Sequence, residues 1–237
     1  VTPGVFITGT DTGVGKTRVA VGLLTALRRA GVRAVGMKPV AAGADRIGGR
    51  LRNDDAQRLL TAGAVAAPYD DVNPYCFRAA VSPHIAAARD GVVPRLDRIG
   101  AACARLRAAA EFVVVEGAGG WLAPISSRRT MADVATTCGF PVLLVVGLRL
   151  GCLNHAALTA RAIAAQGNRL IGWVGSAVDP DFQAARENLA TLAAWLPAPQ
   201  LGLLPHTPSS ARDGARLAGL AAALRPGRTL SERRRNL

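Results

Sequence analysis

Val5-Phe6-Ile7-Thr8-Gly9-Thr10-Asp11-Thr12-Gly13-Val14-Gly15-Lys16-Thr17 is the stretch on which the fold turns. Its apolar start, Val5 to Ile7, reads as a strand, and beyond it Val19, Leu23, Leu24 and Leu27 recur at helical spacing. Strand, glycine-rich turn and helix together make the setting of a phosphate-binding loop. Gly13 and Gly15 let the backbone curl so that several N–H groups converge on an anion. The helix beginning near Lys16 adds the positive end of its dipole. Lys16 can reach the outer phosphates, and the Thr17 hydroxyl can ligate a Mg²⁺ that bridges them. The pattern G-x-x-x-x-G-K-[ST] fails by one position, because Thr10 stands where the first glycine belongs and Gly9 lies one earlier. The bland alternative is a strand-to-helix turn carrying a surface lysine, and the coincidence of strand, glycines, Lys-Thr and helix speaks against it.

The lysine count points to a second site residue. Of 29 basic residues only Lys16 and Lys38 are lysine, and the other 27 are arginine. A compact ammonium fits beside a phosphate or carboxylate in a tight pocket where a planar guanidinium does not. Lys38 follows the apolar run ending at Met37 and precedes Pro39, which cannot continue a ladder. It therefore falls at the carboxyl end of a second strand, the edge at which open α/β sheets bind ligands. Asn53-Asp54-Asp55 reads as a helix start capped by Asn53 or Asp54. Its acids serve as dipole complements or, beside a Mg²⁺-nucleotide, as a metal ligand. Phe112-Val113-Val114-Val115-Glu116 is a continuous apolar run ending in a carboxylate, followed by Gly117-Ala118-Gly119-Gly120. Such a run is a strand buried on both faces. A carboxylate at its end is costly without a partner, which Mg²⁺ or an arginine would supply.

The rest of the chain alternates. Residues 41–51 read as a loop, 68–75 as turn, and Ser82-Pro83-His84 as the start of a short helix with Ser82 as cap. Residues 94–110 are amphipathic, 141–146 a strand, and a helix follows Gly151 to about Gln166. Residues 170–178 read as a strand, 181–195 as a helix, 201–204 as a strand and 211–224 as a last helix. Strands alternating with helices imply an α/β fold, a doubly wound, mainly parallel sheet in a single domain over 1–225. The polar basic stretch 226–237 reads as a disordered or non-native tail.

Half of the 237 residues are hydrophobic, enough for a large core, and no apolar run approaches the ~18 residues of a membrane span. No charged-then-apolar leader opens the sequence, and four scattered cysteines form neither a C-x-x-C nor a zinc pattern. These features imply a cytoplasmic protein with no membrane partner. The net charge of +13 is spread over the whole chain without a basic stripe, so a nucleic-acid partner is not expected.

Taken together, Gly9-Thr10-Asp11-Thr12, Val14-Gly15-Lys16-Thr17, Lys38-Pro39-Val40 and Val115-Glu116-Gly117-Ala118-Gly119-Gly120 resemble the dethiobiotin synthetase family. So do Asn73-Pro74-Tyr75, Ser82-Pro83-His84 and the run Gly147-Leu148-Arg149-Leu150-Gly151-Cys152-Leu153-Asn154-His155. The similarity runs from about Val5 to Leu204, in the family's order. It implies a P-loop NTPase fold, a homodimer, and an ATP- and Mg²⁺-dependent cyclo-ligase that converts 7,8-diaminopelargonate and CO₂ to dethiobiotin. By this resemblance Thr12 to Arg18, Asp55, Glu116 to Gly119, Gly175, Ser176, Pro205, His206 and Thr207 bind nucleotide. Thr17, Asp55 and Glu116 hold the metal, and Lys16 and Lys38 are catalytic. Thr12, Lys38, Ala42, Ser82, Pro83 and the helix start Gly151, Cys152, Leu153 and Asn154 contact substrate, the last four from the other subunit.

Four positions depart from the family's pattern. Gly13 replaces a common glutamate, Ala42 a serine that contacts substrate, and Asn188 a tyrosine at the substrate's tail. Gly175-Ser176-Ala177 replaces an asparagine that reads adenine. A single serine hydroxyl cannot donate and accept to two base atoms at once, so other nucleoside triphosphates are expected to serve. Backbone groups of residues 205–207 are the alternative readers of the base. An amide-forming ligase with the same loop would need an ammonia source, and no cysteine here has a glutaminase setting. A ParA-like partition ATPase typically carries a lysine between positions 9 and 11, and here there is none.

Overall fold

A computed structural model describes residues 3–206 and 210–225. Its centre is β1 (Gly4–Gly9), flanked by β7 (Phe112–Glu116) and β8 (Val142–Leu148), and every residue of the three strands is buried. That burial explains their unbroken apolar character, since a strand covered on both faces has no polar side to alternate with. With β2 (Ala34–Met37), β9 (Leu170–Ala177) and β10 (Gln200–Leu204) they form a six-stranded parallel sheet in the order β10-β9-β8-β1-β7-β2. β1 pairs with β7 on one side and β8 on the other, so the strand order reverses around it. This is the switch point at which open sheets place ligands.

The pleat sends alternate residues of each strand to opposite faces. Val5 and Ile7 of β1 join α1 (Lys16–Arg29), Leu59 of α2 (Asp54–Ala62), and Leu217 and Leu220 in one core. Phe6 joins Met37, Val113 and Val115 in the other. That second core is closed by α4 (Pro83–Arg89), α5 (Leu96–Ala109) and α6 (Met131–Cys138). α7 (Cys152–Ala165) and α8 (Ala185–Trp195) cover β8 and β9 around Trp173. Helices on both faces of a parallel sheet confirm the doubly wound reading.

The expected loop over 41–51 is not one. β3 (Val40–Ala42) pairs with β6 (Tyr75–Phe77), and β4 (Asp45–Ile47) with β5 (Arg50–Arg52) form a small antiparallel hairpin. Gly48 and Gly49 both take positive φ, 58° and 79°, the requirement of a two-residue hairpin turn. Residues 68–75 contain the short helix α3 (Tyr69–Val72). Ser82 does precede α4, with Pro83 in its first turn, but its side chain makes no cap bond. The helix expected from 181 begins at Ala185, after Ala184 takes a left-handed φ of 54°. The last helix is two, α9 (Ser210–Arg216) and α10 (Ala218–Leu224), divided at Leu217. α6 was not read from sequence; its signal is a capping box in which Thr130 and Asp133 satisfy each other's end of the helix. Thr207 and the tail 226–237 lie outside the described residues.

Candidate active site

β1 ends at Gly9, and the chain then wraps through Asp11 to Gly15 before α1 begins. Gly13 (φ 74°) and Gly15 (φ 93°) take conformations that an L side chain resists. A Cβ at Gly15 would also stand 2.7 Å from the Ser176 hydroxyl. Val14 is buried under the loop, and Lys16 folds back so that its ammonium donates to the Asp11 carbonyl at 2.8 Å. Burial, then the neighbouring Lys38, lowers the Lys16 ammonium to about 8, against the pull of Glu116, Asp55 and Asp11.

Beside the loop three chain-distant groups converge. Lys38 Nζ donates to Glu116 Oε1 at 2.6 Å and to Asp55 Oδ2 at 2.8 Å. The Thr17 hydroxyl lies 2.8 Å from Asp55 Oδ1 and 2.8 Å from Glu116 Oε1. One hydroxyl proton serves one of these at a time. Burial alone would push Lys38 down, but Glu116 and then Asp55 outweigh it and hold its ammonium above the ordinary lysine value. Burial would raise Asp55, but Lys38, followed by the Thr17 hydroxyl and Arg58, holds its carboxyl below the ordinary range.

A divalent cation fits this set. Glu116 is 1% exposed, and its Oε2 has no hydrogen-bond partner among the described residues. Buried carboxylate oxygens are rarely left so, and a ligated ion would satisfy this one. Two carboxylates and a hydroxyl suit Mg²⁺, which keeps most of its own waters and substrate phosphates as ligands. Among the described residues no group of three or more His, Cys, Asp or Glu is placed to hold a metal.

The supporting shell went largely unread in the sequence. Lys38 N–H donates to the Val72 carbonyl at 2.7 Å, and Asn73 Nδ2 donates to the Lys38 carbonyl at 2.6 Å. The Tyr69 hydroxyl accepts from Asn53 N–H and donates to Asn73 Oδ1, at 2.8 and 3.1 Å. Asn53, not Asp54, caps α2 by accepting from Ala56 N–H at 3.2 Å. That cap fixes the first turn and with it Asp55. Asn53 and Asn73 are both buried, and a buried amide bonded through both its oxygen and its nitrogen is the physical mark of such a role.

The other expected residues fall around this centre. Gly119 approaches Thr12, since a Cβ on it would be 3.7 Å from the Thr12 hydroxyl, so the Gly117–Gly119 turn lies against the phosphate loop. Ala42 sits at the end of β3, and the next residue, Gly43, bonds to the Ala79 carbonyl at 3.0 Å, bringing the Ser82-Pro83 corner alongside. Gly151 caps α7 in a left-handed turn (φ 93°), and Arg149 pairs with Asp11, tying the α7 start to the chain's own phosphate loop. Cys152 is buried with Sγ 3.9 Å from Asn188 Oδ1, while Asn154 is exposed. Asn188 therefore stands at this helix start, the place its departure from the family's tyrosine concerns. Gly175 and Ser176 lie in β9, and Ser176 is buried against Gly15. Arg18 donates to the Pro205 carbonyl at 3.0 Å, which brings Pro205 and His206 to the loop's flank.

A parallel sheet, a phosphate loop at its switch point and a carboxylate pair beside the loop's threonine define the P-loop NTPase class. The structural neighbours agree on the fold. The MinC:MinD complex of Aquifex aeolicus superimposes with a TM-score of 0.62 at 16% identity, covering 96% of this chain and 97% of that one. MinD of Pyrococcus horikoshii with Mg-ADP gives 0.58 at 14% identity, covering 93% and 95%. A family model described as an AAA domain matches residues 3–213. The sequence relatives are more specific. The chain is 50% identical over 223 residues to ATP-dependent dethiobiotin synthetase BioD of Aromatoleum aromaticum, covering 94% of this chain and 97% of that protein. It is 49% identical over 221 residues to the same enzyme of Xylella fastidiosa, covering 93% and 96%. The chain belongs to the dethiobiotin synthetase family, ATP-consuming ligases of biotin biosynthesis.

Proposed function

We propose that this chain closes the ureido ring of dethiobiotin on 7,8-diaminopelargonate, with CO₂ and ATP as co-substrates. The observation that carries the reading is the Lys38 ammonium held between Glu116 and Asp55, beside Thr17 and Lys16. One substrate amine adds to CO₂ and gives up a proton to solvent, leaving a carbamate. A carbamate oxygen attacks the γ-phosphorus, ADP departs, and the carbamic-phosphoric anhydride forms. The second amine attacks the carbonyl, phosphate leaves with the former carbamate oxygen, and the amine's proton is released as the ring closes. Each step gathers negative charge in a small volume, so the chain's task is alignment and neutralisation rather than acid-base chemistry.

Lys16 and the N–H groups of Gly13 to Thr17 hold the phosphates, and Lys38 faces the carbamate and the transferred phosphoryl group. Mg²⁺, when bound, neutralises the outer phosphate oxygens. Thr17, Asp55 and Glu116 would hold it. Thr12, Ala42, Ser82 and Pro83 line the substrate's reacting end. Gly151 to Asn154 of a second subunit receive its tail carboxylate in a homodimer, and the helix start suits that charge. Ala42 offers no hydroxyl, and Asn188 stands where a tail contact would come from.

The base is read loosely. Gly175 has no side chain and Ser176 is turned against Gly15, so neither offers an amide to the edge of a base placed against the backbone of Pro205 and His206. Other nucleoside triphosphates therefore support turnover. Dissociation constants for ATP, GTP, CTP and UTP should lie within about 100-fold of one another. Among the described residues no helix is long and apolar enough to cross a membrane. A cytoplasmic location is part of the same proposal. No nucleic acid is involved.

The test is phosphate release from ATP with and without diaminopelargonate and bicarbonate. Release should require both. Release stimulated by DNA and indifferent to the diamine would overturn the reading.

A further inference from the structure

Directly after Thr17 stands Arg18, whose guanidinium is held by protein groups. Its Nε donates to Asp213 Oδ2 and one Nη to Asp213 Oδ1, both at 3.0 Å, a fork-to-fork pair. Its other Nη donates to the Pro205 carbonyl at 3.0 Å. Asp213 is 1% exposed on α9, which lies along α1 with Gly214 packed on Thr25. A carboxylate this deep is held for its partner, since removing either one strands a buried charge.

Pro205 is the residue this pair reaches, and its place needs a holder. β10 is an edge strand that pairs only with β9 in the sheet, and its last residue, Leu204, lies beside Ser176. Ser176 in turn abuts Gly15 of the phosphate loop. After Leu204 the ladder ends and proline supplies no N–H. Arg18 is the described side chain that fixes the next carbonyl, and Asp213 fixes Arg18. The phosphate loop and the base-side segment are thus spanned by one strut, rooted in the first turn of α1.

We infer that Arg18 and Asp213 are positioning residues that set the distance between the phosphate loop and the backbone at Pro205–His206, and thereby the grip on base and ribose. The inference rests on the proposed placement of the base against that backbone. The pair is neutral overall, so its contribution is to geometry and not to the attraction of phosphates. In a chain whose β9 end offers Gly175 and Ser176 in place of a base-reading amide, that geometry sets how tightly a nucleoside is held.

Calorimetric affinities of the full chain for ATP and for inorganic triphosphate, each with Mg²⁺, test it. In wild type ATP should bind more tightly than triphosphate. Arg18→Lys keeps the charge without the fork, and Asp213→Asn keeps the shape without the charge. Either substitution should weaken ATP on the order of tenfold and leave triphosphate within about twofold, because charged hydrogen bonds of this kind are lost on one side of the nucleotide only. Undiminished triphosphate binding also shows that each variant is folded around its loop. Parallel loss of both ligands would make Arg18 an ordinary phosphate cation and overturn the inference. An unchanged ATP-to-triphosphate ratio would overturn it as well. Wild-type ATP binding no tighter than triphosphate would instead remove the placement of the base itself.

Discussion

Replacing Lys38 with methionine separates two jobs that the ammonium performs. The cluster sets two carboxylates, buried Glu116 and half-buried Asp55, against two buried ammonium groups, Lys16 and Lys38. Lys38→Met keeps the stem's volume and leaves one negative charge in excess around an oxygen, Glu116 Oε2, that already has no partner among the described residues. Breaking a buried pair in this way costs about 3–5 kcal/mol, so the metal-free variant should melt well below wild type. The lysine also competes with any cation for Glu116 Oε1 and Asp55 Oδ2, which it holds at 2.6 and 2.8 Å. Its removal should therefore tighten Mg²⁺, by about tenfold if one charged hydrogen bond no longer has to be broken. Turnover should nevertheless fall on the order of 10²-fold or more, since a positive group near the transferred phosphoryl is gone. Lys38→Arg should not restore it, because a planar fork cannot occupy the point between two carboxylates. The assays are Mg²⁺ titration by calorimetry, thermal unfolding with and without Mg²⁺, and steady-state kinetics. Near-normal turnover in Lys38→Met, or weaker Mg²⁺ binding, would refute the reasoning.

Gly15→Ala must take φ near 93° and push its Cβ to 2.7 Å from the Ser176 hydroxyl, so nucleotide affinity measured by fluorescence should drop at least about tenfold. Adding Ser176→Gly should relieve the clash and recover part of the loss. Leu150, 90% exposed just before the α7 start, is a side chain that the proposed homodimer would cover. Leu150→Glu should shift sedimentation toward monomer and weaken diaminopelargonate binding with it. Burial would raise Asp133, but the Thr130 N–H, then Arg129 and the Thr130 hydroxyl, outweigh it and hold the carboxyl below 3.8. The stability this gives is present above 3.8 and is lost as pH falls through the lowered folded value. Asp133→Asn should cost about 1 kcal/mol near neutral pH, and thermal unfolding should show that gap closing in acid.

What the sequence revealed were features whose physics is local. Lys16-Thr17 after glycines, Lys38 at a strand's end and Glu116 after four apolar residues each carry their reason in a few neighbours. Asp55 was legible because its helix start was. The hairpin at 45–52 was not, since its β4 residues are all exposed and show no apolar alternation to betray a strand. Only the Gly48-Gly49 pair marked it. The Asn53–Tyr69 bond and the Arg18–Asp213 pair join residues far apart in the chain, and no period or spacing announces such partners. The packing of Ser176 against Gly15 likewise joins residues far apart in the chain, and no local pattern announced it.

Both lysines of the chain are buried in one pocket, and every other side-chain cation outside histidine is a guanidinium. The outer surface therefore offers amine-directed reagents no lysine. Acylating or pyridoxal-type probes can take only the active-site ammonium groups among the side chains, without an engineered handle. Mass-shift labelling, with and without nucleotide, then becomes a direct count of occupied sites. The same scarcity means that lysine-based crosslinking or surface immobilisation would have, beside the α-amino group, only these two buried ammonium groups to use.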